Sequence, residues 1–296
     1  MRIILLVMSI IAAAYAVAAD SHALKQRLND AINGLNATVG IAVITGNGDT
    51  VTINNEQHYP LMSVMKLHQA IYLAHFLHHN GWSIDHYIKV EKNDLKPDTY
   101  SPLRDSIPEG TASITIGELL RYSLQLSDNN ACDILFNLSG GPIATDSYIR
   151  NYGKIHDFAI TATEDDMHRD TALCRANYTT PLEAARLIDR LQDGAFADTP
   201  QLQFVRNTLA GCHTGTERIP KGIDCEAAII MHKTGTSDCD TNGKWTAIND
   251  VAHVKMPDGR SYALAVFIKN SYESYAENER TIALISSIVF DYIVGN

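Results

Sequence analysis

The chain has 296 residues, of which 45% are hydrophobic and 20% charged, and its formal net charge is −10. That composition is globular and long enough for one large domain or two intimate ones. The acidic balance, with no basic stripe anywhere, argues against nucleic acid and anionic membrane surfaces as partners.

Residues 1–19 read as a secretory leader. Arg2 supplies the charged end, Ile3 to Ile11 the apolar run, and Ala16-Val17-Ala18 a small-x-small cut, with Val17-Ala18-Ala19 as the alternative. The apolar run is short for a membrane span and no basic stop follows it. The expected destination is the periplasm, with no stable membrane association after cleavage.

After the leader, Ala23 to Leu35 has helical spacing with Gly34 near its end. Thr38 to Thr45 and Thr50 to Ile53 flank Gly46-Asn47-Gly48-Asp49, a hairpin signal. Helical patterns dominate from Ser63 to about Gln201, and Thr180-Pro181-Leu182-Glu183 has capping-box spacing with proline at the first helical position. Strand patterns return at Ala227 to His232, Thr246 to Lys255 and Arg260 to Lys269, and Glu277 to Val294 closes as a helix. Strands at both chain ends with helices between them predict an α+β fold. It has an antiparallel sheet built from residues 20–60 and 205–296, and a helical part over residues 61–204.

The five cysteines are an odd count without C-x-x-C spacing, which argues against a zinc site or a dense disulfide framework. Export leaves room for a disulfide among Cys212, Cys225 and Cys239, with no pair preferred. Cys132 reads as core. His75, His78 and His79 offer an i, i+4 metal pair, but there is no H-E-x-x-H string and no third ligand, so neither a metal nor another cofactor is expected. No long heptad is present, so a monomer is the default expectation.

Three short strings carry the chemistry: Ser63-Val64-Met65-Lys66, Ser127-Asp128-Asn129 and Lys233-Thr234-Gly235. An S-x-x-K arises by chance roughly once in a chain of this length, whereas all three in order do so in well under about one chain in a hundred. A serine hydroxyl is a weak nucleophile until a base takes its proton. Ser63 and Lys66, three apart, share a helix face, and a helix beginning at Ser63 would favour developing negative charge there. Ser127 can both donate and accept a proton. Asp128 is expected to bond nearby backbone, and His232 to pack or hydrogen-bond.

On these strings the chain resembles the class A β-lactamases, and more closely their divergent cephalosporinase branch, given Glu164-Asp165-Asp166-Met167-His168 and Asn129-Asn130-Ala131-Cys132-Asp133. The resemblance implies hydrolysis of small-molecule β-lactams through a serine acyl-enzyme. Ser63 would be the nucleophile, Lys66, Ser127 and Lys233 would move or bias protons, and Glu164 would activate the deacylating water. The oxyanion hole would be the backbone N–H groups of Ser63 and Thr236. Tyr100, Asn129, His168, Arg218, Thr234, Gly235, Thr236 and Ser237 would line the substrate, with Arg218 the second carboxylate-binding cation.

The loop around Glu164 departs from the common family pattern. Asp165 stands where proline is usual, and His168 stands where an asparagine usually holds water. Ala162 and Asn177 replace the arginine–aspartate pair that ties the loop, and an Asp133–Asn177 bond is the expected substitute. Met62 before Ser63 rules out the disulfide found beside the serine in carbapenem-hydrolysing members. The rival readings that share the three motifs are a D-Ala-D-Ala carboxypeptidase and a β-lactam sensor that stays acylated.

Overall fold

The computed structural model describes residues 21–295. The leader expected over residues 1–19 lies outside them. Residues 21–32 form helix α1. Strands β1 (Thr38–Thr45) and β2 (Thr50–Ile53) make the expected hairpin, and β3 (Tyr59–Pro60) leads to the long helix α2 (Met65–His79). The middle of the chain holds β4 (Tyr87–Val90), α3 (Pro102–Ser106), β5 (Ala112–Thr115), α4 (Ile116–Gln125), α5 (Asn129–Ser139), α6 (Gly141–Tyr148), β6 (Phe158–Ala159) and α7 (Glu164–Arg169). Then come β7 (Tyr178–Thr179), α8 (Pro181–Gln192) and α9 (Pro200–Ala210). Strands β8 (Ile229–Thr236), β9 (Trp245–Lys255) and β10 (Ser261–Ser271) precede the closing helix α10 (Tyr275–Gly295).

The main sheet is antiparallel in the order β2-β1-β10-β9-β8, so the N-terminal hairpin joins the three C-terminal strands at the β1–β10 pairing. Successive side chains of a strand face opposite sides, and both sides here are covered. Ile41 and Val43 of β1 join Leu264 and Val266 of β10 against Leu24 and Leu28 of α1 and Ile282, Ile285 and Val289 of α10. Their neighbours Ala42, Ile44, Ala263, Ala265 and Phe267 face the helical part, in one core with α2 and α8. Helix α2 is buried on nearly all sides, as its weak amphipathicity requires.

Three local expectations change. Strand β8 runs to Thr236, so Lys233-Thr234-Gly235 lies inside an edge strand instead of following it. Ser63 sits in a 3₁₀ turn, Met62–Val64, one step before α2 begins. At the start of α8 only half of the capping box forms. Thr180 accepts from the Glu183 N–H, but the Glu183 carboxylate turns to the His156 N–H at 2.6 Å and to Arg186.

No helix among the described residues is long and apolar enough to cross a membrane.

Candidate active site

The Ser63 turn is fixed from two sides. The Leu61 N–H donates to the Asn177 carbonyl at 2.9 Å, and buried Asn249 of β9 donates to the carbonyls of Pro60 and Leu61 at 2.8 and 3.3 Å. Met62 takes φ +47°, a left-handed conformation that a side chain adopts only under constraint. Gly235 lets β8 come this close, since a Cβ there would lie 2.5 Å from the Leu61 carbonyl oxygen.

One helical step past the turn, Lys66 is fully buried and its Nζ is surrounded by oxygen. It lies 2.7 Å from Ser63 Oγ, 2.6 Å from a Glu164 carboxylate oxygen, 2.8 Å from Asn129 Oδ1 and 3.0 Å from the Ser127 carbonyl. The Ser63 hydroxyl can in turn donate to Glu164 at 3.3 Å. A serine hydroxyl, an amine and a carboxylate thus share one continuous hydrogen-bonded path, which is the arrangement an activated nucleophile needs.

The second motif spans the α4–α5 connection. Asp128 is the N-cap of α5 and fully buried. It accepts from Ser101 Oγ, the Leu103 N–H at 2.6 Å and the Ala131 N–H at 2.8 Å, the structural role expected of it. Burial raises its pKa, and those hydrogen bonds oppose the rise. The cap holds Ser127 at φ +60°, with its hydroxyl accepting from Lys233 Nζ at 2.9 Å. Asn129 spends its oxygen on Lys66 and one amide hydrogen on Thr99 at 2.8 Å, leaving its second amide hydrogen available. Tyr100 is 59% exposed, and its carbonyl accepts from the Asn129 backbone N–H. Lys233 is fully buried, and burial lowers its pKa to about 8.

Glu164 opens the short helix α7, which Thr163 and Asp166 close with a reciprocal capping box. Asp133 of α5 accepts the N–H groups of Glu164 and Asp165, both at 2.8 Å. Burial and the neighbouring Glu164 charge raise Asp133 to about 7, against the pull of those two N–H groups. The expected Asp133–Asn177 bond is not the one that forms. Asn177 is fully buried and accepts from the Thr161 and Ala162 N–H groups at 2.7 and 3.0 Å, and donates to the Ala162 carbonyl at 2.8 Å. The two residues therefore hold the segment before Glu164 and the helix after it separately. His168, one turn beyond Glu164, is exposed.

Along β8, the Ser237 N–H bonds inward to the Ala247 carbonyl, so alternation turns the Thr236 N–H toward the free edge that faces Ser63. Ser237 Oγ is engaged by the Ala247 N–H at 3.1 Å and the Asp238 carbonyl. Thr234 is buried against Thr214, with the two hydroxyls 2.6 Å apart. Arg218, expected as the second carboxylate-binding cation, is 1% exposed and pairs with Glu279 at 3.1 Å. Its remaining N–H donors reach the Gly235 and Asn249 carbonyls, the Tyr275 hydroxyl and, at 2.8 Å, Thr236 Oγ1. Every donor is used within the protein, and two of them, to the Gly235 carbonyl and Thr236 Oγ1, reach β8.

The structure brings Ser63, Lys66, Ser127, Asn129, Glu164 and Lys233 together. It also adds residues the sequence did not single out. Asn249 ties sheet to serine turn, and Thr99 orients Asn129. Only the adjacent polar residues Asn249-Asp250 in the middle of β9 hinted at the first. His75 stacks on Tyr148 with ring centres 4.5 Å apart, and among the described residues no cluster of three or more His, Cys, Asp or Glu could hold a metal. All five cysteines are free. Cys212, Cys225 and Cys239, among which a pairing was left open, are each unpaired, with Cys212 beside Thr214 and Cys239 exposed past the end of β8.

Residues 23–293 match the model of the "Beta-lactamase enzyme family". A "Beta-lactamase" of Phocaeicola vulgatus is 36% identical over 275 residues, covering 93% of this chain and 86% of its own. The "Extended-spectrum beta-lactamase PER-1" of Pseudomonas aeruginosa is 32% identical, over 94% and 90% of the two chains. Among solved structures, a class A β-lactamase from Bacteroides cellulosilyticus superposes with a TM-score of 0.89 at 35% identity, covering 94% of this chain and 99% of that one.

Proposed function

We propose, from the premise that this chain belongs to the β-lactamase enzyme family, as a class A hydrolase of β-lactams, that Ser63 opens the lactam ring and Glu164 activates the water that clears the resulting ester. The observation that carries this reading is the placement of Lys66 Nζ, 2.7 Å from Ser63 Oγ and 2.6 Å from Glu164. Both Lys66 and Glu164 are within reach of the Ser63 proton, so it has two exits, and either starts the same attack.

As the carbonyl becomes tetrahedral, its oxygen is met by the N–H groups of Ser63 and Thr236, each of which lowers the barrier by about 3 kcal/mol. The Ser127 hydroxyl, polarised by Lys233 at 2.9 Å, protonates the departing lactam nitrogen. Lys233, Thr234 and Thr236 hold the substrate carboxylate, with Arg218 acting through the Thr236 hydroxyl. Asn129 gives its free amide hydrogen to the acyl side-chain carbonyl, while Tyr100, Gly235 and Ser237 line the cleft and His168 helps to hold the water. Cephalosporins, including bulky ones, are the favoured substrates and penicillins are also hydrolysed. The extended-spectrum relative supports this scope, as does a loop held by Asp133 and Asn177 in place of a charge pair. The leader-like residues 1–19 support action in the periplasm.

Glu164→Ala tests the two-step scheme. Intact mass after seconds with a good cephalosporin should give a persistent adduct on Ser63, and steady-state turnover should fall on the order of a thousandfold. Undiminished turnover would remove Glu164 from its role.

A further inference from the structure

Behind β8, on the side away from Ser63, lies a row of groups that the hydrolytic scheme does not use. Cys212 follows α9 and is partly exposed. It meets the ring of His232, the buried residue that precedes Lys233. His232 Nδ1 lies 3.0 and 3.3 Å from the two oxygens of Asp250, fully buried on β9, which also accepts the Ile219 N–H at 3.1 Å. Thiol, imidazole and carboxylate are thus neighbours, with the carboxylate holding the ring. Burial alone would raise the thiol. The hydrogen bond and charge of His232, then the charge of Lys233 and the Thr214 hydroxyl, bring it down to about 7. Burial would likewise lower His232, but Asp250 and Cys212 hold it up to about 10. Buried Cys132 and half-buried Cys174 shift the other way, upward, by burial.

We propose that Cys212 is a modification site for small disulfides, its sulfur set beside the His232 ring that Asp250 holds. The Cys212 sulfur attacks one sulfur of R–S–S–R. A Cys212–S–S–R bond forms as the original S–S bond breaks, and RS⁻ departs with the bonding pair and takes its proton from solvent. Cys212 is oxidised, the small disulfide is reduced, and His232 keeps its proton throughout. The modification reaches the cleft by contact. Thr214 Oγ1 is 3.4 Å from Cys212 Sγ and 2.6 Å from Thr234 Oγ1. At Gly215, φ +70°, even a Cβ would lie 2.4 Å from the Thr234 methyl. A group added to Cys212 therefore displaces Thr214 and, with it, Thr234. This second effect rests on the role proposed for the β8 edge, whereas the labelling does not.

The test is 4,4′-dithiodipyridine added to the full chain, with released thiopyridone followed by absorbance and the labelled cysteine identified by peptide mapping. At pH about 6 the larger thiolate fraction, discounted for lower nucleophilicity, should make Cys212 react roughly six-fold faster than glutathione. Its rate should level off above pH about 7, and His232→Gln should bring it down to that of an ordinary thiol. Cys212 reacting no faster than glutathione at the lower pH, or at the same rate in His232→Gln, would overturn the site. Should that variant not fold, the pH profile of the unaltered chain decides alone. Labelled protein should then hydrolyse a chromogenic cephalosporin several-fold more slowly, recover with dithiothreitol, and be insensitive as Cys212→Ser. Unchanged turnover after full labelling would overturn the link to Thr234. A chain without turnover before labelling would instead count against the hydrolytic scheme.

Discussion

Asn177→Ala separates the two halves of the proposed reaction. The asparagine side chain satisfies the Thr161 and Ala162 N–H groups and the Ala162 carbonyl, and none of its own surface is exposed. Thr161 is exposed and can take water in exchange, but Ala162 is buried. Alanine therefore leaves one buried N–H and one buried carbonyl without partners, at about 1–3 kcal/mol each. Partial hydration of the vacated space brings the expected loss to about 3 kcal/mol, or roughly 6–12 °C in Tm for a domain of this size. The Asn177 backbone still accepts from the Leu61 N–H, so the Ser63 turn should survive and acylation stay near normal. Deacylation should slow about tenfold or more, because a displacement of about 1 Å in a positioned group costs up to a hundredfold. Thermal unfolding by circular dichroism and time-resolved intact mass with one good substrate measure both. A Tm within about 2 °C of the parent, with deacylation unchanged, would refute the reasoning.

Ser63→Ala should abolish both turnover and covalent labelling by penicillins, and a mass shift mapped to any other residue would overturn the proposed nucleophile. The pKa of about 8 on Lys233 means that its positive charge is lost as pH rises through that value, so kcat/KM for carboxylate-bearing substrates should fall on the alkaline side. A profile flat beyond pH about 9 would remove Lys233 from that role. Oxyimino cephalosporins should be hydrolysed measurably beside a small cephalosporin and benzylpenicillin when kcat/KM values are compared. A strong penicillin preference with no oxyimino turnover would mean that Asp133 and Asn177 restore a narrow cleft.

The sheet, its hairpin and the closing helix were legible because apolar alternation and turn residues report them directly, as β1, β2 and β10 illustrate. Strand β8 was cut short in the reading for the opposite reason. Its last residues are polar because they bond Ser127, Thr214 and Arg218, so the apolar pattern that marks a buried strand stops before the strand does. The motif residues that meet at Lys66 could be named from order and spacing alone. What spacing cannot give is the partner of a polar group. Asp133 and Asn177 were recognisable as loop ties, yet each had several donors within reach and they did not choose one another. Arg218 was recognisable as a cation near β8, but Glu279, Tyr275 and two carbonyls take all of its donors except the one given to Thr236.

The seam between the two chain ends, β1 against β10, governs when this protein can fold. Strand β1 finds its long partner only in β10, with Thr38 opposite Lys269 and Thr45 opposite Tyr262, so most of the chain must be synthesised before that ladder can close. Contacts of such sequence separation make folding slow, since loop closure is unfavourable until the strands meet. Until then β1, with its six central residues destined for burial, is an unpaired apolar edge that invites association with other chains. Because each is the other's long partner, loss of β10 should be as damaging as loss of β1.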